Sequence, residues 1–493
     1  MKRGYLYILL LIAFFSFSYL HVDTFNVDAQ HWMLRSSNFM SALLKLNFAK
    51  TFQDPKPGVP VMFLSGFFIE FFLRLYKLLF SFRPEFYTYD TFFYLNFVSR
   101  FPLVLLNLVF LYFSYRIVRV LFDEYVSLLY LILLGFQPFY IANSRFLHVD
   151  ITLTVFMNMS FFLFLLFYEK GSKKLYLISS GVFAGLALLT KTQALFLFPM
   201  MGLITLLIFP RSFSGLWTCV KNFIIWIFTS IVCYLLFFPA LWVNPVMYIN
   251  KIFSEALFVA NTGNTNIFPF LYYFQILRKD LSLVGLIISL IATFYCFFIG
   301  IRSRKDCFLY LSLFFFIFFY FLQMSIIKQK IDRYLLPMYP VLALCVSIFC
   351  LNNPFLKKIK YKTSLIVAFF LVQVAILAYY FPNYYSFVVK DFYDNKSGVM
   401  FPAVGKYINS QENPYELKVV TMTKVASLRP FVKGKVFGHE EDLPNNWSID
   451  YLVTNDYWLE RYGEPEFFES CFVEEKISFR GVPYWDIYRC NKN

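Results

Sequence analysis

Charge is scarce in this chain: of its 493 residues 15% are Asp, Glu, Lys or Arg and 59% are hydrophobic, against about 25% and about 45–50% in soluble domains. That balance, with a mean hydropathy of +0.59, excludes an ordinary soluble globule and points to a polytopic membrane protein. The 68 Phe residues then serve many packing surfaces instead of one core. The eight cysteines include no CxxC pair and no metal-ligand spacing. Cys219, Cys233, Cys296, Cys307, Cys345 and Cys350 lie in or beside apolar runs, where a small buried side chain is all that packing needs. Cys471 and Cys490 stand in the polar C-terminal stretch, where they can pair outside the cell. A Gly-rich nucleotide-binding motif is missing, which argues against a soluble sugar nucleotide, and there is no internal repeat or low-complexity run.

The net charge of +15 suggests nucleic acid only as a sum. Its Lys and Arg residues gather in short loops between apolar runs, so the charge reads as membrane topology and no nucleic-acid partner is expected. A basic start followed by the apolar run Tyr5–Leu20 has the outline of a signal peptide. No small-residue cleavage site follows, so this run is read as a retained first helix with its N-terminus in the cytoplasm. Further runs cover Phe92–Tyr115, Val120–Tyr140, Ile151–Tyr168, Leu175–Leu189, Ala194–Phe209, Phe223–Leu241, Leu281–Ile301, Phe308–Ile327, Tyr334–Leu351 and Thr363–Phe381. At about 20 residues per crossing they make about eleven spans with the first helix. Alternate loops carry Arg116 and Arg119, then Lys170, Lys173 and Lys174, then Arg211 and Lys221, then Arg302, Arg304 and Lys305, then Lys357, Lys358, Lys360 and Lys362. That parity puts these loops inside and the other loops outside.

Val61–Phe82 is apolar, but Glu70, Arg74 and Lys77 recur at helical spacing, which suits an amphipathic helix in the outer interface better than a span. The stretch after Pro382 is mixed and charged, with a short helix over Phe401–Ser410, strands over Leu417–Thr423 and Ile449–Thr454, and a hairpin about Arg480-Gly481. The expected fold class is therefore mainly α: residues 1–382 form a helical transmembrane domain, with residues 21–91 as first outer loop, and residues 383–493 form a small α/β domain on the outer face.

The outer loops collect the ionisable residues that topology does not explain. The first holds Asp23, Asp28, His31, Asp54 and Lys56; Arg145, His148 and Asp150 stand at the mouth of a span; Lys191 separates two apolar half-runs; Lys328, Lys330, Asp332 and Arg333 precede Tyr334-Leu-Leu-Pro337. Each has a bland reading as well: snorkelling for Arg145 and Arg333, a helix–loop joint for Lys191, an N-cap for Asp150, and polar packing for His31 and His148. Together they bring carboxylates and cations to one membrane face. A lipid-linked phosphosugar needs cations to neutralise its departing phosphate, and an acceptor hydroxyl needs a carboxylate to take its proton. A transporter or flippase of lipid-linked sugars is the alternative, although such proteins usually carry their charges near the midplane and often show repeats.

The segments Asn26–Trp32, Asp54–Gly66, Ser144–Asp150, Gly185–Lys191 and Asp332–Pro337 resemble, in that order, the membrane glycosyltransferases of the C-type fold. The likeness is to the dolichyl-phosphate-mannose protein mannosyltransferases (glycosyltransferase family 39) and the related aminoarabinose transferases of lipid A. The resemblance implies an inverting transfer of a sugar from a polyprenyl phosphate to a protein, lipid or glycan acceptor at the outer face of the cell membrane. Asp28 would be the base and Asp150 a second essential acid. Lys56, Arg333, Arg145 and Lys191 would hold the donor phosphate, and Asp54, His31 and His148 would face the acceptor or a metal. Ala29 follows Asp28 where many relatives carry Glu, and Pro55 precedes Lys56; the need for a divalent metal is left open.

Overall fold

The computed structural model describes residues 4–18, 27–84, 86, 89–171, 173–207, 213–262, 269–303, 307–352, 362–380, 401–422, 425–438, 448–479 and 482–491. Asp23, Arg211, Arg304, Lys305, Lys357, Lys358, Lys360 and the expected turn Arg480-Gly481 lie outside these residues.

The helices are α1 Gly4–Phe17, α2 Val27–Leu44, α3 Val59–Phe80, α4 Tyr89–Leu121, α5 Glu124–Gly135, α6 Pro138–Ser144, α7 Val149–Glu169, α8 Lys174–Thr190, α9 Leu197–Leu207, α10 Phe213–Leu236, α11 Pro245–Asn261, α12 Pro269–Arg302, α13 Cys307–Ile326, α14 Tyr339–Asn352 and α15 Lys362–Tyr380. Single 3-10 turns, Thr192–Phe196 and Asp332–Met338, lead into α9 and α14. The expected apolar runs fall on helices, with Val120–Tyr140 divided among the end of α4, α5 and α6, and with the ends of Ala194–Phe209 and Thr363–Phe381 outside the described residues. Among the described residues seven helices are long and apolar enough to cross a membrane, and the pair α5–α6, bent by 69°, makes an eighth. The helices α1, α8, Thr192–Leu206 and Lys362–Ile376 are shorter, at 10–17 residues; the eleven-span count included them.

The interfacial helix expected over Val61–Phe82 is α3, whose 22 residues also pass the test of length and apolarity for a span. Its charges do not share one environment. Glu70 is 6% exposed and is paired with Arg83 at 2.8 Å, while Arg74 and Lys77 face outward. The outer segment Trp242–Asp280, expected as a loop, contains α11 and the first part of α12. Asn244 caps α11 by accepting from the Met247 N–H at 3.1 Å, and Pro245 at the first position loses no helical hydrogen bond. In α12 the helix breaks at Ser282 (φ 65°, ψ 167°), so the span proper begins where the apolar run was expected to begin.

The chain divides into two units. One consists of Met1–Ser18, Arg35–Phe67 and Pro102–Tyr379. Within it α7 is the most enclosed candidate span, with 94% of its apolar window buried. Helices α8 and α10 meet through Gly181 and Gly185: a Cβ on Gly185 would lie 2.5 Å from the Ser230 carbonyl oxygen, and one on Gly181 would lie 2.8 Å from that of Trp226. Two glycines four apart make the small-residue stripe by which membrane helices approach closely. Across the seam Trp226 Nε1 donates to Ser180 Oγ at 2.9 Å.

The other unit takes in Tyr19–Leu34, Phe68–Phe101 and Tyr380–Asn493, so parts of the expected first outer loop associate with the C-terminal stretch. It carries a five-stranded sheet in the order β2-β1-β3-β5-β4, from β1 Lys418–Thr421, β2 Lys435–Gly438, β3 Tyr451–Thr454, β4 Cys471–Phe479 and β5 Val482–Cys490. The first three strands are parallel, and β5 and β4 join antiparallel, with Cys471 opposite Cys490 and disulfide-bonded to it. Helix Phe401–Asn409 covers the sheet by stacking Phe401 on Trp485 at 4.8 Å. Phe431 reaches edge-on to Phe92, in the first turns of α4, at 5.4 Å.

Candidate active site

The site grows from the start of α7. His148 is the N-cap of that helix and Asp150 lies inside its first turn. The capping role considered for Asp150 therefore belongs to His148, and the carboxylate is free to turn inward, at the end of a helix dipole that favours negative charge. Asp150 is 2% exposed. Its Oδ1 lies 2.7 Å from Lys191 Nζ, and its Oδ2 lies 2.8 Å from both Arg333 Nε and His148 Nδ1. The backbone N–H of Asp150 also points at His148 Nδ1, at 3.3 Å. That bond is the cap itself, with Nδ1 as the acceptor, so the 2.8 Å approach of Nδ1 to Oδ2 is a close contact and not a donated hydrogen bond.

Three different elements deliver the cations. Lys191 follows α8 in an extended conformation (φ −162°, ψ 140°) that ends the helix. Its Nζ rests 3.9 Å above the Tyr334 ring as well as on Asp150. Arg333 comes from the 3-10 turn Asp332–Met338. Lys56 comes from the loop before α3, which is tied to the same place by the Gly58 N–H donating to the Thr190 carbonyl at 3.1 Å, one residue before Lys191. The loop keeps its shape because Asp54 accepts from the Lys56 backbone N–H at 2.7 Å and pairs with Arg35. Burial pulls the Lys191 ammonium below its ordinary range; Asp150 opposes the fall, and the charges of Arg333 and Lys56 add to it. One carboxylate thus faces two basic side chains, Lys191 and Arg333, with Lys56 near enough for its charge to be felt. Among the described contacts of Asp150 the basic groups outnumber the carboxylate, which suits an anion with several oxygens.

Beside the cluster lies a cavity of about 610 Å³, whose lining includes Thr192 and Gln193 next to Lys191, then Met200, Ala260, Phe319 and Ile327. Its wall is largely apolar, and Leu195 and Ile326 at its flank are 52% and 68% exposed. The groove is therefore oily, and its lining begins at the residue after Lys191.

The remaining expected residues have the following surroundings. Asp28 stands in the first turn of α2, and its side chain is outside the described residues. His31, also on α2, is exposed. Arg145 is 3% exposed and donates to the carbonyls of Phe15 at 3.3 Å and Ser18 at 2.6 Å, which satisfies the end of α1. Lys56 is half exposed and approaches Glu255 of α11 at 3.6 Å. Lys330 turns back onto the carbonyls of Met324, Ser325 and Ile327 at 3.0, 2.6 and 2.5 Å. Tyr334, under Lys191, and Glu255, opposite Lys56, are not among the sequence candidates. Tyr334 could have been found as the neighbour of Arg333, whereas Glu255 gives no sequence signal. Among the described residues no group of three His, Cys, Asp or Glu side chains could hold a metal ion. The donor set agrees, because both oxygens of Asp150 already face cations.

Residues 88–243 match the family model described as dolichyl-phosphate-mannose-protein mannosyltransferase. A protein of Aquifex aeolicus described as uncharacterized is 26% identical over 267 residues, which are 53% of this chain and 49% of that protein; the chain spans about half the length of this curated relative. Among solved structures, ArnT from Cupriavidus metallidurans bound to undecaprenyl phosphate superposes with a TM-score of 0.58 at 12% identity, over 99% of this chain and 98% of that one. The apo oligosaccharyltransferase of Archaeoglobus fulgidus gives 0.51 at 11% identity, over 92% and 70%. AglB of the same organism, in complex with an inhibitory peptide and a dolichol-phosphate, gives 0.50 at 13% identity, over 88% and 64%. By its helices, its C-terminal sheet and these likenesses, the chain is an integral membrane protein with the C-type glycosyltransferase fold, and it resembles the dolichyl-phosphate-mannose-protein mannosyltransferase family, whose model it matches over residues 88–243.

Proposed function

We propose that this protein transfers a sugar from a polyprenyl-phosphate donor to an acceptor at the outer face of the membrane, with inversion at the anomeric carbon. The carrying observation is the pair of cations, Lys191 and Arg333, held with His148 on buried Asp150, and an apolar groove whose lining starts at Thr192 and Gln193, directly after Lys191. The groove suits the phosphate-proximal isoprene units, and the cations suit the phosphate.

The chemistry needs this asymmetry. When the acceptor oxygen attacks the anomeric carbon, the bond to the phosphate oxygen breaks and its electron pair stays on the phosphate, which goes from one negative charge to about two. Lys191, Arg333 and Lys56 meet charge that grows as the bond breaks, so they favour the transition state over the bound donor. Both oxygens of Asp150 lie against cations, and its task in this reading is to hold Lys191 and Arg333 close together before the donor arrives. The proton of the acceptor goes to a carboxylate of the first outer loop, and Asp28 fits that task by its place in the sequence.

The test is transfer from a polyprenyl-phosphate sugar by the purified chain in proteoliposomes. Arg333→Gln and Lys191→Met should each lower kcat/KM by about 10²–10³, the usual loss for one donor at a developing oxyanion. Asp28→Asn should abolish transfer while donor binding persists. Full turnover by the Arg333 and Lys191 variants would overturn the reading. Mass spectrometry of glycans and glycolipids from cells with and without the gene identifies the acceptor.

A further inference from the structure

Arg333 can serve only if its short 3-10 turn is held still against α7, and two side chains outside the cluster do the holding. Below Asp150 on the same face of α7 lie Thr154 and Asn158, at steps of four residues. Thr154 Oγ1 donates to the Asp150 carbonyl at 2.8 Å, and Asn158 Nδ2 donates to the Thr154 carbonyl at 2.9 Å. The same Nδ2 crosses to the Pro337 carbonyl at 3.0 Å, four residues after Arg333 in that turn. Asn158 is fully buried, and its Oδ1 has no hydrogen-bond partner. An orphaned buried acceptor is costly, and a leucine of similar size would avoid the cost. The amide is therefore explained by what its nitrogen grips. At the other end of the segment Lys330 Nζ donates to the Met324, Ser325 and Ile327 carbonyls at the end of α13, filling all three of its donor sites.

We infer that Asn158 and Lys330 are positioning residues that clamp the 328–338 segment at both ends, so that the Arg333 guanidinium is fixed on the Asp150 side of the phosphate pocket before any ligand enters. Neither touches the reacting atoms. The inference rests on the proposed function for its consequence, since a clamp matters there only if Arg333 meets a phosphate, but its geometry is independent of that reading. Preorganisation of this kind removes the ordering cost from binding and from the reaction.

The full-length protein in nanodiscs decides it with two measurements on Asn158→Leu, Asn158→Gln and Lys330→Met. Amide hydrogen exchange should rise about tenfold in residues 332–336 for Asn158→Leu and Lys330→Met, as the loss of one buried hydrogen bond allows, while α7 itself stays protected. Binding of undecaprenyl phosphate should weaken about tenfold in the same two variants and recover in part in Asn158→Gln. Placed on Arg333→Gln, they should add less than about twofold, because the clamped group is already gone. Unchanged exchange overturns the clamp, and so does faster exchange with unchanged binding in the native background, or a full tenfold loss persisting on Arg333→Gln. If the unmodified protein binds no undecaprenyl phosphate while exchange responds as expected, the clamp stands and the phosphate reading falls.

Discussion

Asp150 illustrates how a buried carboxylate can be indispensable without doing proton chemistry. Its oxygens face Lys191, Arg333 and His148 at 2.7–2.8 Å, so removing its charge leaves buried Lys191 and the largely enclosed Arg333 without their shared carboxylate. Asp150→Ala should therefore destabilise the protein by about 3–5 kcal/mol, the cost of breaking a buried ion pair from one side. Thermal unfolding in detergent checks this, and a loss below about 1 kcal/mol would show that water replaces the carboxylate. Arg145 makes the complementary point. Its sequence neighbourhood groups it with the site, yet its guanidinium ends on the carbonyls of Phe15 and Ser18. Residue type and proximity in the chain do not determine where a long side chain ends.

At the level of elements, the site depends on how closely helices approach one another. Lys191 lies six residues beyond Gly185, and α8 is held to α10 by that glycine and Gly181. Gly185→Leu puts side-chain atoms where the Ser230 backbone already is, 2.5 Å from the new Cβ. The helices must separate, at a cost of at least about 1–3 kcal/mol for overpacking. The variant should unfold at lower temperature and lose donor binding, and a stable variant with native binding would show that the seam adjusts. The break at Ser282 works on the same scale. A non-glycine residue at φ 65° splits α12 into an outer segment and a span, and no apolar run signals such a break because both halves are apolar.

For the whole molecule, the C-terminal sheet has its own staple. Cys471 and Cys490 close a stretch of 19 residues between β4 and β5. Cys471→Ser should cost about 3 kcal/mol if loop entropy dominates. Limited proteolysis should then cut the C-terminal stretch first, leaving the helices intact; equal cleavage of both variant and native protein would show that the sheet holds without the bridge. Membership of the two units is not sequential, since residues 19–34 and 68–101 fall with 380–493. The boundary at residue 382 marks a change in composition, which is a different criterion from compactness.

By itself the sequence determined the membrane class, the position of each apolar run, the helix and most strands of the C-terminal stretch, and the residues Lys56, Asp150, Lys191 and Arg333 as candidates. These properties are local: hydropathy, spacing and residue chemistry are complete within a window of about 20 residues. Tertiary structure decided that Asp150 is a counter-ion surrounded by cations, that Arg145 closes the end of α1, that Glu255 meets Lys56, and that Asn158 reaches Pro337 across 179 positions of chain. Those contacts join segments far apart in the sequence, and only close packing fixes which of the many available polar partners each buried group takes.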